Sequence, residues 1–274
     1  MNIAILYICT GNYDIFWDGF YTSCEENFYP DHKKEYFVFS DSKKMHALAS
    51  DTIHVLWQNS AGWPYNTLMR YQWFCTVQDK LKDFDALYFC NANMRFLKPI
   101  TEEHIPYPSA EAPLVLAVHT QNYEDTLGTT FFPERNPASA AYIEEGSPVR
   151  AYAGGFWGGT ADAVLSMCKT LRDRVNDDLS RDIIAVWHDQ SHLEKYATET
   201  PHCIIDKGII SSEEYADASV CRAMFLNKSH FGGNDVLRGA SRKTRLINKT
   251  KQGIRKIARA LGITPLIKKI LRKK

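Results

Sequence analysis

Apolar residues in this chain gather into short runs set apart by longer, mixed stretches. Ile3 to Cys9, Tyr36 to Phe39, Ile53 to Trp57, Ala86 to Cys90 and Leu114 to Val118 each have strand length, and most are separated by segments long enough for a helix. That alternation predicts an α/β fold with a mainly parallel sheet. Leu68, Met69, Trp73, Val77 and Leu81 recur at helical spacing and predict a helix over 66–81, with Asn66 as its N-cap just after Pro64. A further helix is expected to start near Thr160 or Ala161 and to run through Val164, Leu165, Cys168 and Leu171. The stretch from His119 to Arg150, rich in Pro, Gly, Asn and Thr, reads as loops over a site.

Composition narrows the class. With 274 residues, 45% of them apolar and 12% aromatic, the chain can bury one sizeable core and is not disordered. Seven cysteines, an odd number without zinc or redox spacing, read as small hydrophobes in a reducing compartment rather than as a disulfide framework. The first apolar run is too short for a signal peptide, and no stretch approaches a membrane span. The net charge of +1 conceals a division: residues 240–274 hold thirteen of the 33 Lys and Arg and no Asp or Glu, which leaves twenty basic against 32 acidic residues in the body.

Three groups of residues carry candidate chemistry. Ligands of an open parallel sheet bind beyond the carboxyl ends of its strands, where Thr10-Gly11-Asn12 and Asn91-Ala92-Asn93 are expected. Asn91 and Asn93 would share one side of an extended chain, although two Asn also simply end strands and begin turns. Tyr152-Ala153-Gly154-Gly155-Phe156-Trp157-Gly158-Gly159-Thr160 places four glycines in six positions, which fits either a bulged strand or a phosphate loop and matches neither dinucleotide nor P-loop spacing. In Trp187-His188-Asp189-Gln190-Ser191-His192, two histidines stand four apart like a zinc pair, but Gln190 stands near where a metalloprotease needs its Glu; an ordinary helix N-terminus beginning near Asp189 is the simpler reading.

Taken together and in order, Tyr7-Ile8-Cys9-Thr10-Gly11-x-Tyr13, Trp63-Pro64-x-Asn66-Thr67-Leu68-x-Arg70, Asn91-Ala92-Asn93, Tyr152-Ala153-Gly154-Gly155-Phe156-x-Gly158-Gly159 and Trp187-His188-Asp189-x-Ser191-x-Leu193-x-Lys195-Tyr196 closely resemble glycosyltransferase family 6 over residues 1–238. The resemblance implies a GT-A fold with a mixed, mainly parallel sheet in a single catalytic domain, residues 1–238, followed by a basic amphipathic tail, residues 239–274. It further implies retaining transfer of N-acetylgalactosamine or galactose from the UDP-sugar to the 3-hydroxyl of an acceptor galactose. Animal members hold a divalent cation with Asp-x-Asp; bacterial members commonly have Asn-x-Asn and work without metal. Amides are poor partners for a hard cation but can donate to phosphate or sugar oxygens, so no metal and no other cofactor is expected here.

By the same resemblance Ile8, Cys9, Thr10 and Tyr13 lie around the uridine. Arg70, Asn91, Ala92, Asn93, Lys228 and Arg238 face the donor diphosphate, the last two in a C-terminal segment with Gly232-Gly233 between them. Ala153, Gly154 and Gly155 set sugar choice, and their small size favours N-acetylgalactosamine. His119, Trp187 and His188 belong to the substrate side, which implies a terminal galactose acceptor with or without a 2-fucose, and Asp189 contacts donor hydroxyls. Family members usually carry Glu where this chain has Gln190, and an amide cannot act as a carboxylate nucleophile or base. Either the chain transfers sugar by front-face attack assisted by the leaving phosphate, or it is a crippled UDP-sugar-binding relative. The tail spaces Ile247, Ile254, Ile257, Ala258 and Leu261 helically among basic residues, which suits an anionic membrane surface. Nucleic acid is the rival partner, weakened by the absence of aromatic residues for stacking, and a plainly solvated tail is the third reading. The protein is therefore expected at the cytoplasmic face of the inner membrane, near lipid-linked glycan acceptors.

Overall fold

A computed structural model describes residues 1–119, 132–206, 208–241, 244 and 250. The basic segment expected to bind membranes lies almost wholly outside the described residues. Ten strands are described: β1 (Asn2–Ile8), β2 (Lys33–Ser40), β3 (Ile53–Trp57), β4 (Ala86–Asn91), β5 (Met94–Phe96), β6 (Leu114–Val118), β7 (Tyr152–Thr160), β8 (Cys203–Ile205), β9 (Ile210–Ser212) and β10 (Ala223–Phe225). Seven form one sheet in the order β3-β2-β1-β4-β7-β6-β8, in which β7 alone among the described strands runs antiparallel to its neighbours; a small second sheet has the order β5-β10-β9. The continuous apolar sequence of β1 and β4 follows from burial on both faces, the usual condition of central parallel strands.

The α-helices whose full ranges are described are α1 (Trp17–Asn27), α2 (Lys43–His46), α3 (Tyr65–Leu68), α4 (Arg70–Cys75), α5 (Gln78–Leu81), α6 (Ala161–Ser180), α7 (Asp189–Ala197) and α8 (Gly233–Leu237). The Thr160 hydroxyl accepts from Ala163 N–H and caps α6, as its sequence predicts. The helix expected over 66–81 is instead three pieces, interrupted at Met69 and Val77. Asn66 does not cap it, because its side-chain oxygen accepts from Ala61 N–H at 2.6 Å. The Thr67 carbonyl accepts from Arg70 Nε, and the Thr76 hydroxyl donates to the Trp73 carbonyl, so side chains compete for helix carbonyls at both breaks.

Leu6, Phe39, Phe74, Phe89, Trp157, Val164 and Cys168 belong to one buried cluster between the sheet, α4 and α6, with the Phe89 and Trp157 rings 5.1 Å apart. Met1–Asn227 form one compact unit and Lys228–Lys274 a second. All seven cysteines are free thiols, five of them buried. Among the described residues no helix is long and apolar enough to cross a membrane.

Candidate active site

Four strands end or begin at one edge of the large sheet. β1 and β4 run parallel, with Ile8 opposite Asn91, and both deliver their carboxyl ends there. β7 runs the other way and starts there with Tyr152, Ala153, Gly154 and Gly155; β6, antiparallel to β7, finishes there with Val118 opposite Tyr152 and His119 next in the chain. Topology thus gathers on one rim the sequence-predicted groups at the ends of β1, β4, β6 and β7.

The turn after β4 is tightly held. The Asn91 amide donates to Asn93 Oδ1 at 2.6 Å, the Asn93 amide donates to the Leu226 carbonyl at 2.7 Å, and Leu226 N–H returns a bond to the Asn93 carbonyl. The Tyr7 hydroxyl donates to the Ala92 carbonyl from beneath. Cys9 is pinned to β2 through Phe39 and the Ser40 hydroxyl, and burial pushes its thiol up to about 12, which keeps it protonated. Thr10 is buried beside it, and Tyr13 opens a 3-10 turn, Tyr13–Phe16.

The glycine run is part of a strand, and its members do two jobs. Gly158 and Gly159 pack against Tyr88 and against the Pro113–Leu114 backbone, in the interior of the sheet. Gly154 and Gly155 face the rim: a methyl at Gly154 would lie 3.3 Å from the Asp189 carboxylate and 3.5 Å from Gln190 Cβ, and one at Gly155 would lie 2.8 Å from the Phe225 ring and 3.3 Å from Asn91 Cβ. The space beside Gly155 is therefore already occupied by Phe225.

Arg70 joins these parts. It is 5% exposed; Nη1 donates to the Gly154 carbonyl at 2.6 Å and lies 3.1 Å from Asp189 Oδ2, Nε donates to Thr67, and the guanidinium sits 4.6 Å above the Phe89 ring. Asp189, itself 6% exposed, has its carboxyl raised by burial, an effect that the Arg70 charge opposes. Desolvating both charges is costly, and the pair persists because the guanidinium fork satisfies three acceptors at once. His188, with φ of 57°, makes the sharp turn that sends Asp189 inward while its own ring meets Trp63 at 4.5 Å.

Gln190 follows on α7. Its amide donates to Glu194 Oε1 at 2.9 Å, and its Oε1 lies 3.4 Å from His119 Nε2. Burial lowers the His119 pKa, partly offset by that contact with Gln190. Trp187 N–H donates to the Ser191 hydroxyl and its indole donates to the Phe132 carbonyl, leaving two exposed aromatic rings 5.3 Å apart at the rim. The histidine pair is not a metal site: His192 is 1% exposed and faces Asp178, whereas His188 precedes the helix and faces Trp63. No group of three metal-ligating side chains occurs among the described residues. The Asn91–Asn93 turn offers a hard cation only neutral amide oxygens, and Asn93 Oδ1 already accepts from Asn91, while each amide carries a second N–H beyond the one given to Asn93 or Leu226.

Lys228 and Arg238 belong to the second unit, where Lys228 opens a 3-10 turn, Lys228–Phe231, and Arg238 follows α8. Gly232 and Gly233 between them both adopt positive φ, which favours glycine. Sequence reasoning missed three residues of the first unit. Glu194 lies under Gln190, Phe225 fills the space over Gly155, and Glu134 accepts from Val186 N–H and so ties the described end of the 119–150 loop to the approach of α7.

The pattern of glycosyltransferase family 6 matches residues 1–231. The chain is 32% identical over 197 residues to the O-antigen biosynthesis glycosyltransferase WbnI of Escherichia coli, covering 72% of this chain and 82% of that protein. It is 28% identical over 202 residues to the rat histo-blood group ABO system transferase 1, and 23% identical over 205 residues to the chicken globoside alpha-1,3-N-acetylgalactosaminyltransferase 1, covering 71% and 72% of this chain. It spans just over half the length of these vertebrate relatives, at 56% and 57%. With the matched segment containing the whole rim from Ile8 to Phe225, the chain belongs to glycosyltransferase family 6.

Proposed function

We propose that this glycosyltransferase moves N-acetylgalactosamine, or galactose, from its UDP-sugar to the 3-hydroxyl of a galactose-containing acceptor, with retention and without a metal ion. The observation that carries this reading is the buried Arg70–Asp189 pair bonded to the Gly154 carbonyl, beside the Asn91–Asn93 turn. A carboxylate held this way can orient sugar hydroxyls, and a neutral asparagine turn suits a diphosphate approached without a cation. The relatives support the sugar class: one is an α-1,3-N-acetylgalactosaminyltransferase and one a blood-group transferase.

In this reading the donor C1–O bond to the diphosphate breaks and the acceptor 3-oxygen bonds to C1 on the same face. The acceptor's proton passes to a diphosphate oxygen, so UDP leaves with it. Gln190 cannot attack as a carboxylate; its carbonyl Oε1 instead offers partial negative charge to the positive charge developing on the sugar. Residues 240–274 would hold the protein at an anionic membrane surface, near lipid-linked acceptors. Incubation with UDP-N-acetylgalactosamine and a 2-fucosyl-galactoside is expected to give an α-linkage to O3, read from the anomeric proton coupling by NMR. A β-linked product would reject retention, and no product from either UDP-sugar would reject the activity.

A further inference from the structure

Glu194 is fully buried one helical turn beyond Gln190; its Oε1 takes the Gln190 amide hydrogen, and its Oε2 is left without a well-formed hydrogen bond. A buried carboxyl with one oxygen unmatched is costly, and the same length of side chain ending in methyl groups would serve packing alone. What this carboxyl does accomplish is directional. Gln190 can present either its oxygen or its N–H groups to the rim, and the partner on its inner side decides which. When ionised, this carboxyl can only accept: it takes the Nε2 hydrogen, the arrangement present in the structure, and leaves Oε1 facing His119 and Gly154.

We propose that Glu194 is a positioning residue for sugar transfer: by accepting the Gln190 amide hydrogen it keeps Gln190 Oε1 turned to the donor-sugar side. The inference rests on the reaction proposed above. Once protonated, Glu194 can donate, and Gln190 can turn over to present N–H where the developing positive charge needs an oxygen. The titratable groups around Glu194 are Asp189 on its own helix, Tyr71 of α4 and Tyr152 of β7, with His119 reached through Gln190. Burial raises the Glu194 pKa well above the ordinary carboxylate range, which the Gln190 amide and the Tyr152 backbone only partly offset. Turnover is therefore lost as pH falls through that raised value, at a higher pH than an exposed Glu would give.

The test uses the full chain with 15N-labelled glutamine, with the Gln190 side-chain resonance assigned by its loss in Gln190→Met. In the parent the Gln190 amide protons move with pH, and kcat falls at least about tenfold along the same midpoint while the donor KM holds steady. In Glu194→Gln the amide protons no longer titrate and the acid limb of kcat retreats by at least about one pH unit, with thermal melts confirming folding. A Gln190 amide that does not titrate in the parent overturns the proposal, as does an active Glu194→Gln protein with an unchanged acid limb. A parent with no transferase activity but a titrating Gln190 amide upholds the contact and instead refutes the assigned reaction.

Discussion

Arg70→Met lowers kcat/KM for transfer by about a hundredfold to several thousandfold, the rate equivalent of the roughly 3–5 kcal/mol incurred when one partner of a buried ion pair is removed. Methionine keeps most of the buried stem, so the loss reports on the guanidinium. Three contacts go together: the Gly154 carbonyl, the Thr67 carbonyl and the Asp189 carboxylate. Asp189 is then left as a desolvated charge without its cation, and burial already raises its pKa in the intact protein. The sign for stability follows. A carboxyl with a raised folded pKa binds more protons folded than unfolded, so stability is lost as pH climbs from the unfolded value to the folded one. The Arg70→Met protein should accordingly melt closer to the parent at pH 5 than at pH 8. A rate close to the parent's, or a melting deficit of equal size at both pH values, would mean that the pair is not the anchor of the rim.

Gly159→Ala is expected to destabilise the fold by about 3 kcal/mol, the upper part of the range for overpacking a close-packed interior. β7 lies between β4 and β6, with Gly159 opposite Leu87 on one side and Leu114 on the other. A methyl there would sit 2.3 Å from the Pro113 carbonyl oxygen and 3.1 Å from Leu114 Cα. Both are backbone atoms, and Pro113 also accepts from Thr160 N–H, so no side-chain rotation relieves the clash. β6 must move instead, and His119 directly follows it. Urea unfolding measures the effect; a shift under about 1 kcal/mol would show that the strand pair separates easily.

Much of this fold is legible in the sequence because its central strands are buried on both faces. β3 and β6 match their apolar runs at both ends, and β1, β2 and β4 differ from theirs by a few terminal residues. The glycine run was ambiguous because close approach of a neighbour demands glycine in a strand as much as in a loop, and local sequence does not say what approaches. The segment 66–81 keeps a helical apolar period although its backbone breaks twice, since period reports which side faces the core and not where Thr67 or Thr76 diverts a carbonyl. At the rim, the motif residues from strand ends and from the start of α7 do converge. Glu194 and Phe225 were illegible for a different reason. Glu194 reads as an exposed helix position until the burial of α7 is known, and Phe225 lies on a strand of a separate small sheet that no motif announces.

A transferase rim built on neutral asparagines is expected to turn over without a cation. Initial rates of glycoside formation are measured from UDP-N-acetylgalactosamine and a 2-fucosyl-galactoside, once in EDTA and once with Mn2+ in excess. The neutral Asn91–Asn93 turn predicts the same rate in both. Turnover that vanishes in EDTA and returns with Mn2+ would contradict the account.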